Sequence, residues 1–139
     1  MTEVFTVETT INRPVDAVWA RLIDWESAPR WMPGVEALRA DGPTAPGTAL
    51  IFTARGKQRT SEIVALDPGR TITLRSVQGG VVADYLYACA GDGDGTLVSL
   101  VAACRMSGPV RLLGPLIRTA IRRADSGQLD AFAATFGAE

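Results

Sequence analysis

The chain has 139 residues, 47% of them hydrophobic and 21% charged, which suits one folded domain and excludes disordered and fibrous proteins. Its net charge of −1 provides no field that would attract nucleic acid or an anionic membrane, so we expect no nucleic-acid partner. No apolar run is long enough to span a bilayer and the N-terminus has no signal-peptide pattern, so we expect no stable membrane insertion and a cytoplasmic location.

The first elements are a strand and a short helix. "VFTVETTI" alternates apolar and polar residues and is rich in β-branched side chains, which predicts a strand over 3–12. Asn12 and Pro14 then provide helix-start signals, and Val18, Trp19 and Leu22 recur at helical spacing. We therefore predict a helix over 14–24, followed by one more brief helical turn.

The corner "PRWMPGV", residues 29–35, holds a tryptophan and a methionine between two prolines. Prolines interrupt regular structure, so this stretch is predicted to be irregular. Apolar side chains of this size in a corner either pack beneath a sheet or line a hollow. The residues alone leave both interpretations of Trp31 and Met32 open.

From Val35 onward, β-type runs alternate with turn signals such as "DGPTAPG", "DPG" and "GDGDG". These runs predict six further strands at 35–41, 48–55, 58–66, 70–78, 81–90 and 96–106. Short connections between them indicate an antiparallel meander. "GDGDG" lacks the later ligands of an acidic calcium loop, so we interpret it as a hairpin turn and expect no metal site and no cofactor.

The last segment is helical and amphipathic. Gly114 and Pro115 are expected to bend or restart the helix near its beginning. Gln128 falls on its apolar side and requires a hydrogen-bonding partner there. One broad face is apolar and comprises Leu113, Ile117, Ala120, Ile121, Ala124, Ala131, Phe132 and Phe136.

Three stretches resemble the START-like (SRPBCC, Bet v 1-like) superfamily of polyketide cyclase/dehydrase and lipid-transfer-like proteins. They are "VETTINRPVDAVWARLIDWESAPRWMPGV", "IVALDPGRTITL", in which Gly69 replaces a second proline, and "GPVRLLGPLIRTAIRR". The resemblance implies one domain over 1–139 with an α+β helix-grip fold. In this fold a curved seven-stranded antiparallel sheet wraps a long C-terminal helix, and two short helices lie between strands 1 and 2.

The resemblance also implies a cavity between sheet and helix, with the corner at its edge. Members of the superfamily bind lipids, hormones or polyketides, and some catalyse cyclisation or dehydration. Together with the residue pattern it predicts ligand-binding positions at Trp31, Met32, Phe52, Tyr85, Tyr87, Leu100, Leu113, Ile117, Ile121 and Gln128.

Catalysis would have to proceed without histidine, which is absent. Glu62 shares a strand face with Val64 and Leu66, but the opposite face is apolar too, so its direction is open. Arg75 shares a face with threonines and is expected to point outward; if it pointed inward, it could hold a carboxylate or enolate. Tyr85 and Tyr87 share one face and would add two hydrogen-bonding groups to a cavity.

Three functions are compatible with these residues. The preferred one is binding of a small hydrophobic ligand, which is lipid-, polyketide- or aromatic-like. The second is a cyclase, aromatase or dehydratase that uses Arg75, Tyr85, Tyr87 or Glu62, and the third is an interaction module whose cavity is filled by its own side chains. The two cysteines are predicted to be reduced, because their strand positions are too far apart for a disulfide.

Overall fold

The computed structural model describes residues 1–137, and its largest element is an antiparallel sheet of seven strands. The strands are β1 (Thr2–Ile11), β2 (Val35–Ala40), β3 (Ala49–Ala54), β4 (Lys57–Asp67), β5 (Thr71–Gln78), β6 (Val81–Asp92) and β7 (Gly95–Met106). Their order across the sheet is β1-β7-β6-β5-β4-β3-β2, so β1 and β2 form the two edges. The predicted strands are confirmed to within one or two residues at each end. The predicted domain also includes residues 138–139, which lie outside the described residues.

Local turn chemistry fixes the hairpins. In "GDGDG", Asp92 pairs with Gly95, and the turn between them requires the positive φ of 63° that Gly93 adopts. This hairpin joins the two longest strands, β6 and β7, which are neighbours in the interior of the sheet. The predicted hairpin turn is therefore confirmed.

Two short helical elements connect β1 to β2, as predicted. Helix α1 (Val15–Leu22) begins after Pro14 and buries Val18, Trp19 and Leu22. A 3₁₀ helix at Trp25–Arg30 follows and buries Trp25. After these two elements, the chain enters the corner that contains Trp31.

The C-terminal helix is interrupted once. A 3₁₀ turn at Gly108–Leu113 leads into α2 (Gly114–Asp125), and α3 (Gln128–Ala134) follows after Ser126 and Gly127. The predicted restart near Gly114 is observed, whereas the continuous helix expected after it is divided at Gly127. Glycine is among the weakest helix formers, because it loses the most backbone entropy in a helix.

The core lies between one face of the sheet and the helical segments. Leu50, Ile63, Ile72 and Leu100 supply the sheet side, and Phe132 supplies the α3 side; all five are at most 1% exposed. We refer to this face of the sheet as the inner face and to the opposite one as the outer face. No helix within residues 1–137 is long and apolar enough to cross a membrane.

Candidate functional site

A cavity of about 200 Å³ lies between the inner face of the sheet and the junction of α2 and α3. We call it the sheet cavity. Its apolar walls come from the corner, β2, β3 and β5, and comprise Met32, Pro33, Val35, Leu38, Leu50, Phe52, Ala54 and Leu74. Its polar walls come from β4, β5, β6 and the α2–α3 junction, and comprise Arg59, Ser61, Ser76, Gln78, Tyr85, Tyr87, Asp125 and Gln128.

A second cavity of about 340 Å³ lies next to the first and shares Ser76, Gln78 and Tyr85 with it. We call it the α2 cavity, because Ile117 and Ile121 of that helix form one wall. Val81 and Ala83 of β6 complete its lining. Tyr85 thus stands at the boundary between the two hollows.

Four polar side chains form a hydrogen-bonded network at the helix side of the sheet cavity. The Tyr85 hydroxyl donates to Asp125 Oδ2 at 2.7 Å, and the Tyr87 hydroxyl donates to Gln128 Oε1 at 2.6 Å. Gln128 Nε2 donates to Asp125 Oδ1 at 3.2 Å and joins the two halves. The network therefore ties β6 to the α2–α3 junction.

Burial controls the ionisation of this network. It raises the pKa of Asp125, although the hydrogen bonds from Tyr85 and Gln128 oppose that rise. The pKa of Tyr85 is raised by burial and then by the nearby Asp125 carboxylate, and the pKa of Tyr87 is raised by the same two causes. Within residues 1–137, Asp125 forms no ion pair, so its charge is balanced only by hydrogen-bond donors.

The β4 side of the sheet cavity presents other polar groups. Arg59 contributes a cationic side chain that forms no hydrogen bond or ion pair in the described chain. Ser61 Oγ and Ser76 Oγ lie 3.1 Å apart and bond to each other. A ligand in the cavity would therefore meet a carboxyl group on one side and a guanidinium on another.

Glu62 and Arg75, two of the predicted catalytic candidates, lie outside both cavities. Glu62 pairs with Arg75, and Arg75 with Asp84, so all three occupy the outer face. Arg75 binds Asp84 there through Nε at 2.8 Å and Nη2 at 2.9 Å. The expected outward position of Arg75 is observed, and its inward alternative, as a group that could hold a carboxylate or enolate, is wrong.

The expected grouping of Glu62 with Leu66 on one strand face is wrong because of a β-bulge. The pairing of β4 with β5 shifts between Ile63 and Ala65, so the alternation of the strand is broken at Val64. Leu66 consequently pairs with the buried Ile72 on the inner face, whereas Glu62 points outward.

Most of the predicted ligand-binding residues reach a cavity, but three do not. Met32, Phe52, Tyr85, Tyr87 and Gln128 line the sheet cavity, and Ile117 and Ile121 line the α2 cavity. Leu100 is fully buried in the core, and Leu113 is 52% exposed because it ends the 3₁₀ turn rather than facing the sheet.

Trp31 packs in the core behind the sheet cavity. It is 2% exposed, and its ring meets those of Tyr87 and Phe132 edge-on at 5.8 Å and 5.0 Å between centroids. Its buried Nε1 has no hydrogen-bond partner among residues 1–137. Each of the two interpretations of the corner therefore holds for one residue: Trp31 packs in the core, and Met32 lines the sheet cavity.

Asp125, Arg59, Ser61 and Ser76 were not predicted as site residues. Asp125 follows Ile121 by four residues and precedes Gln128 by three, a helical spacing that places it toward the same side. Asp125 could therefore have been predicted from its helical spacing to Ile121 and Gln128. The others depend on the register of β4 and β5, which the sequence pattern left open.

Cys89 and Cys104 are free and buried. Cys104 pairs with Ala83 and Cys89 pairs with Val98, so the two cysteines lie at distant positions along β6 and β7, as expected. Burial raises the pKa of Cys89 to about 11 and so makes its thiolate scarce at neutral pH. The cysteines therefore contribute packing.

Residues 2–137 match the profile of a family described as polyketide cyclase / dehydrase and lipid transport. No curated protein sequence matches the chain. Among solved structures, Ara h 8.0201 is similar, with a TM-score of 0.69 and 19% identity over 94% of this chain and 95% of that one. Truncated norcoclaurine synthase from Thalictrum flavum has a TM-score of 0.68 and 19% identity, over 100% and 98% of the two chains.

The di-domain ARO/CYC StfQ from the steffimycin biosynthetic pathway is also similar, with a TM-score of 0.68 and 19% identity. The match covers 94% of this chain and 49% of that one. At these identities the likeness shows the fold alone. The helix-grip fold expected from the sequence is thereby confirmed.

Proposed function

The chain belongs to the polyketide cyclase / dehydrase and lipid transport family, and from this premise we propose that it binds a small hydrophobic molecule in the sheet cavity. The observation that carries the proposal is an apolar hollow with a four-residue polar network on one side. Ligand sites typically combine such apolar walls with a few placed polar groups. We further propose that the chain acts as one domain in the cytoplasm, where its free thiols would stay reduced.

The charges in the cavity restrict the ligand. Asp125 accepts hydrogen bonds from Tyr85 and Gln128, and a carboxylate has about four acceptor positions, so it can accept another from a ligand hydroxyl or ammonium group. Arg59 suits a carbonyl, enolate or carboxylate group. An oxygenated aromatic or polyketide-like molecule satisfies both better than a simple acyl chain.

The cavity volume disfavours an interaction module with a filled core. The sheet cavity, at about 200 Å³, is several times the ~30 Å³ that one water molecule occupies in the liquid. The α2 cavity lies beside it and gives room for a longer ligand.

A second function, acid–base catalysis of cyclisation or dehydration, is favoured by one contact. Asp125 is partly buried, has a raised pKa and bonds to Tyr85, which suits proton transfer to or from a carbonyl compound. Arg59 is the cation available for enolate charge, in place of Arg75. If the chain turns over a poly-β-ketone, Asp125→Asn should abolish the turnover and Arg75→Ala should preserve it.

Native mass spectrometry of freshly purified protein tests ligand binding. We expect a noncovalent adduct on the wild type that disappears under denaturing conditions. Ser76 lines both cavities, so Ser76→Phe should fill them and remove the adduct. Ser99 alternates with the buried Val98 and Leu100 on β7, so Ser99→Phe adds the same bulk to the outer face and should retain it.

Two results would contradict the proposal. One is an adduct that Ser76→Phe leaves in place, because the molecule would then lie elsewhere. The other is a wild type that carries no adduct and also shows no saturable binding of 1-anilinonaphthalene-8-sulfonate, an aromatic anion that can probe such cavities.

A further inference from the structure

Three leucines near the start of α2 are unusually exposed. Leu112 is 87% exposed, Leu116 is 70% exposed and Leu113 is 52% exposed. They lie together on the 3₁₀ turn Gly108–Leu113 and the first turn of α2. Nothing within residues 1–137 covers them. A cluster of protruding apolar side chains on a folded protein is typical of a surface that contacts another apolar phase.

Arginines flank these leucines along the chain, since Arg111 directly precedes Leu112 and Arg118 follows Leu116 by two residues. A surface cavity of about 270 Å³ brings together Arg111, Arg118 and Arg105, the last of which comes from β7. None of the three forms an ion pair or side-chain hydrogen bond within the described chain. Residues 107–124 include four arginines and no acidic residue, although the whole chain has a net charge of −1. Positive charge is therefore concentrated beside the exposed leucines.

We propose that the surface formed by Leu112, Leu116, Arg105, Arg111 and Arg118 docks on an anionic lipid bilayer. The leucines would enter the boundary between headgroups and acyl chains, and the guanidinium groups would bind lipid phosphates. Arginine binds phosphate bidentately, and a cavity with three uncompensated guanidiniums suits that anion. We name this area the basic leucine surface.

The shape of the surface favours a bilayer over an acidic protein. Leu112 and Leu116 protrude, so a protein partner would need two matching pockets, whereas lipid tails surround such side chains without a preformed shape. The arrangement is that of a surface contact, because α2 is too short and too charged to cross the bilayer.

Docking would bring the α2 cavity to the membrane. Ile117 lines that cavity and directly follows Leu116 in α2. A hydrophobic molecule could then pass between bilayer and cavity without crossing water. The docking itself does not depend on the proposed ligand binding, since it uses residues that lie outside the sheet cavity.

Vesicle flotation at about 0.1 M salt tests the proposal. We expect the full chain to float with phosphatidylcholine vesicles that contain 30% phosphatidylglycerol and to remain free with phosphatidylcholine alone. Leu116→Ser should lower the bound fraction about tenfold, as should Arg111→Glu combined with Arg118→Glu. The matched controls are Leu86→Ser on the outer face and Arg39→Glu combined with Lys57→Glu, all exposed and distant from the surface; they should float like the wild type.

Several outcomes would overturn it. The wild type could fail to float at every salt concentration. That result would exclude the bilayer and favour an acidic protein as the partner of the basic leucine surface. Loss of binding in the arginine variant but not in Leu116→Ser would show an anion site without docking. Equal losses in the control variants would show general charge attraction. Failure of the chain to bind vesicles would leave the ligand adduct in the native mass spectrum unchanged. The docking proposal and the ligand-binding proposal are therefore tested separately.

Discussion

The Tyr85 hydroxyl donates a 2.7 Å hydrogen bond to Asp125 Oδ2, which lies forty residues further along the chain. This bond connects the middle of β6 to the last residue of α2. It also gives the sheet cavity its one partly buried carboxyl group among the lining residues. The ionisation of Asp125 should therefore affect both stability and ligand binding.

Asp125→Asn should change how stability depends on pH. Burial raises the pKa of Asp125 above its ordinary value of 3.8, so the folded protein holds this proton more tightly than the unfolded chain does. As pH rises from 3.8 through the raised pKa, the unfolded chain binds fewer protons and the contribution of this group to stability falls. The free energy of unfolding of the variant, relative to wild type, should rise across that window.

Urea unfolding between about pH 3 and pH 7 measures this difference. The exposed Asp130 on α3 provides a matched control, because Asp130→Asn removes a carboxylate from the same end of the chain without touching the network. A difference between Asp125→Asn and wild type that stays constant with pH would contradict the burial of this charge.

Tyr87→Phe should destabilise the fold by about 1–3 kcal/mol, the usual cost of leaving a buried polar group unsatisfied. Tyr87 is 3% exposed and Gln128 is 5% exposed, so the amide oxygen would lose its donor where water has little access. Gln128→Leu should also destabilise the fold, because it leaves the buried Tyr87 hydroxyl without its hydrogen-bond acceptor. The double variant should lose clearly less than the sum of the two single losses; strictly additive losses would show that the bond contributes little.

The sequence predicted the elements well because their signals are local. Turn residues such as Gly93 and helix starters such as Pro14 act on their immediate neighbours, and no distant contact is needed to interpret them. Alternation along β6 correctly placed Tyr85 and Tyr87 on one face. The resemblance added the cavity, and Met32 and Phe52 do line it.

The remaining features depend on tertiary contacts. The bulge at Val64 puts Glu62 and Leu66 on opposite faces of β4, and no residue type marks it in advance. Trp31 and Leu100 are as apolar as true cavity walls, so composition cannot separate core from lining. The Tyr85–Asp125 pair forms only when α2 packs over β6, and the break at Gly127 fixes where Gln128 points.

Gly80→Ala should destabilise the protein by about 1–3 kcal/mol, the range seen for overpacking. A Cβ at Gly80 would lie 2.8 Å from Val110 Cγ1 and even closer to the carbonyl oxygen of Ser107, which is backbone and cannot rotate away. Gly91→Ala is the control, since a Cβ there meets nothing within 4 Å. Thermal unfolding of both variants decides the point: equal melting temperatures would mean that the 3₁₀ turn moves aside freely.

Arg59→Ala should weaken the binding of 1-anilinonaphthalene-8-sulfonate about threefold to tenfold, because its sulfonate would lose a charge-assisted hydrogen bond. Arg75→Ala should leave the affinity unchanged, because Arg75 lies on the outer face and is paired with Asp84. Fluorescence titration of both variants provides the comparison, and each removes one positive charge, so a general charge effect would weaken them equally. Ser76→Phe identifies the fraction of the signal that arises in the cavities. Equal affinities of Arg59→Ala and Arg75→Ala for the probe would contradict this prediction. Arg59 would then not contact the bound sulfonate, and a different residue would have to supply the positive charge of the site.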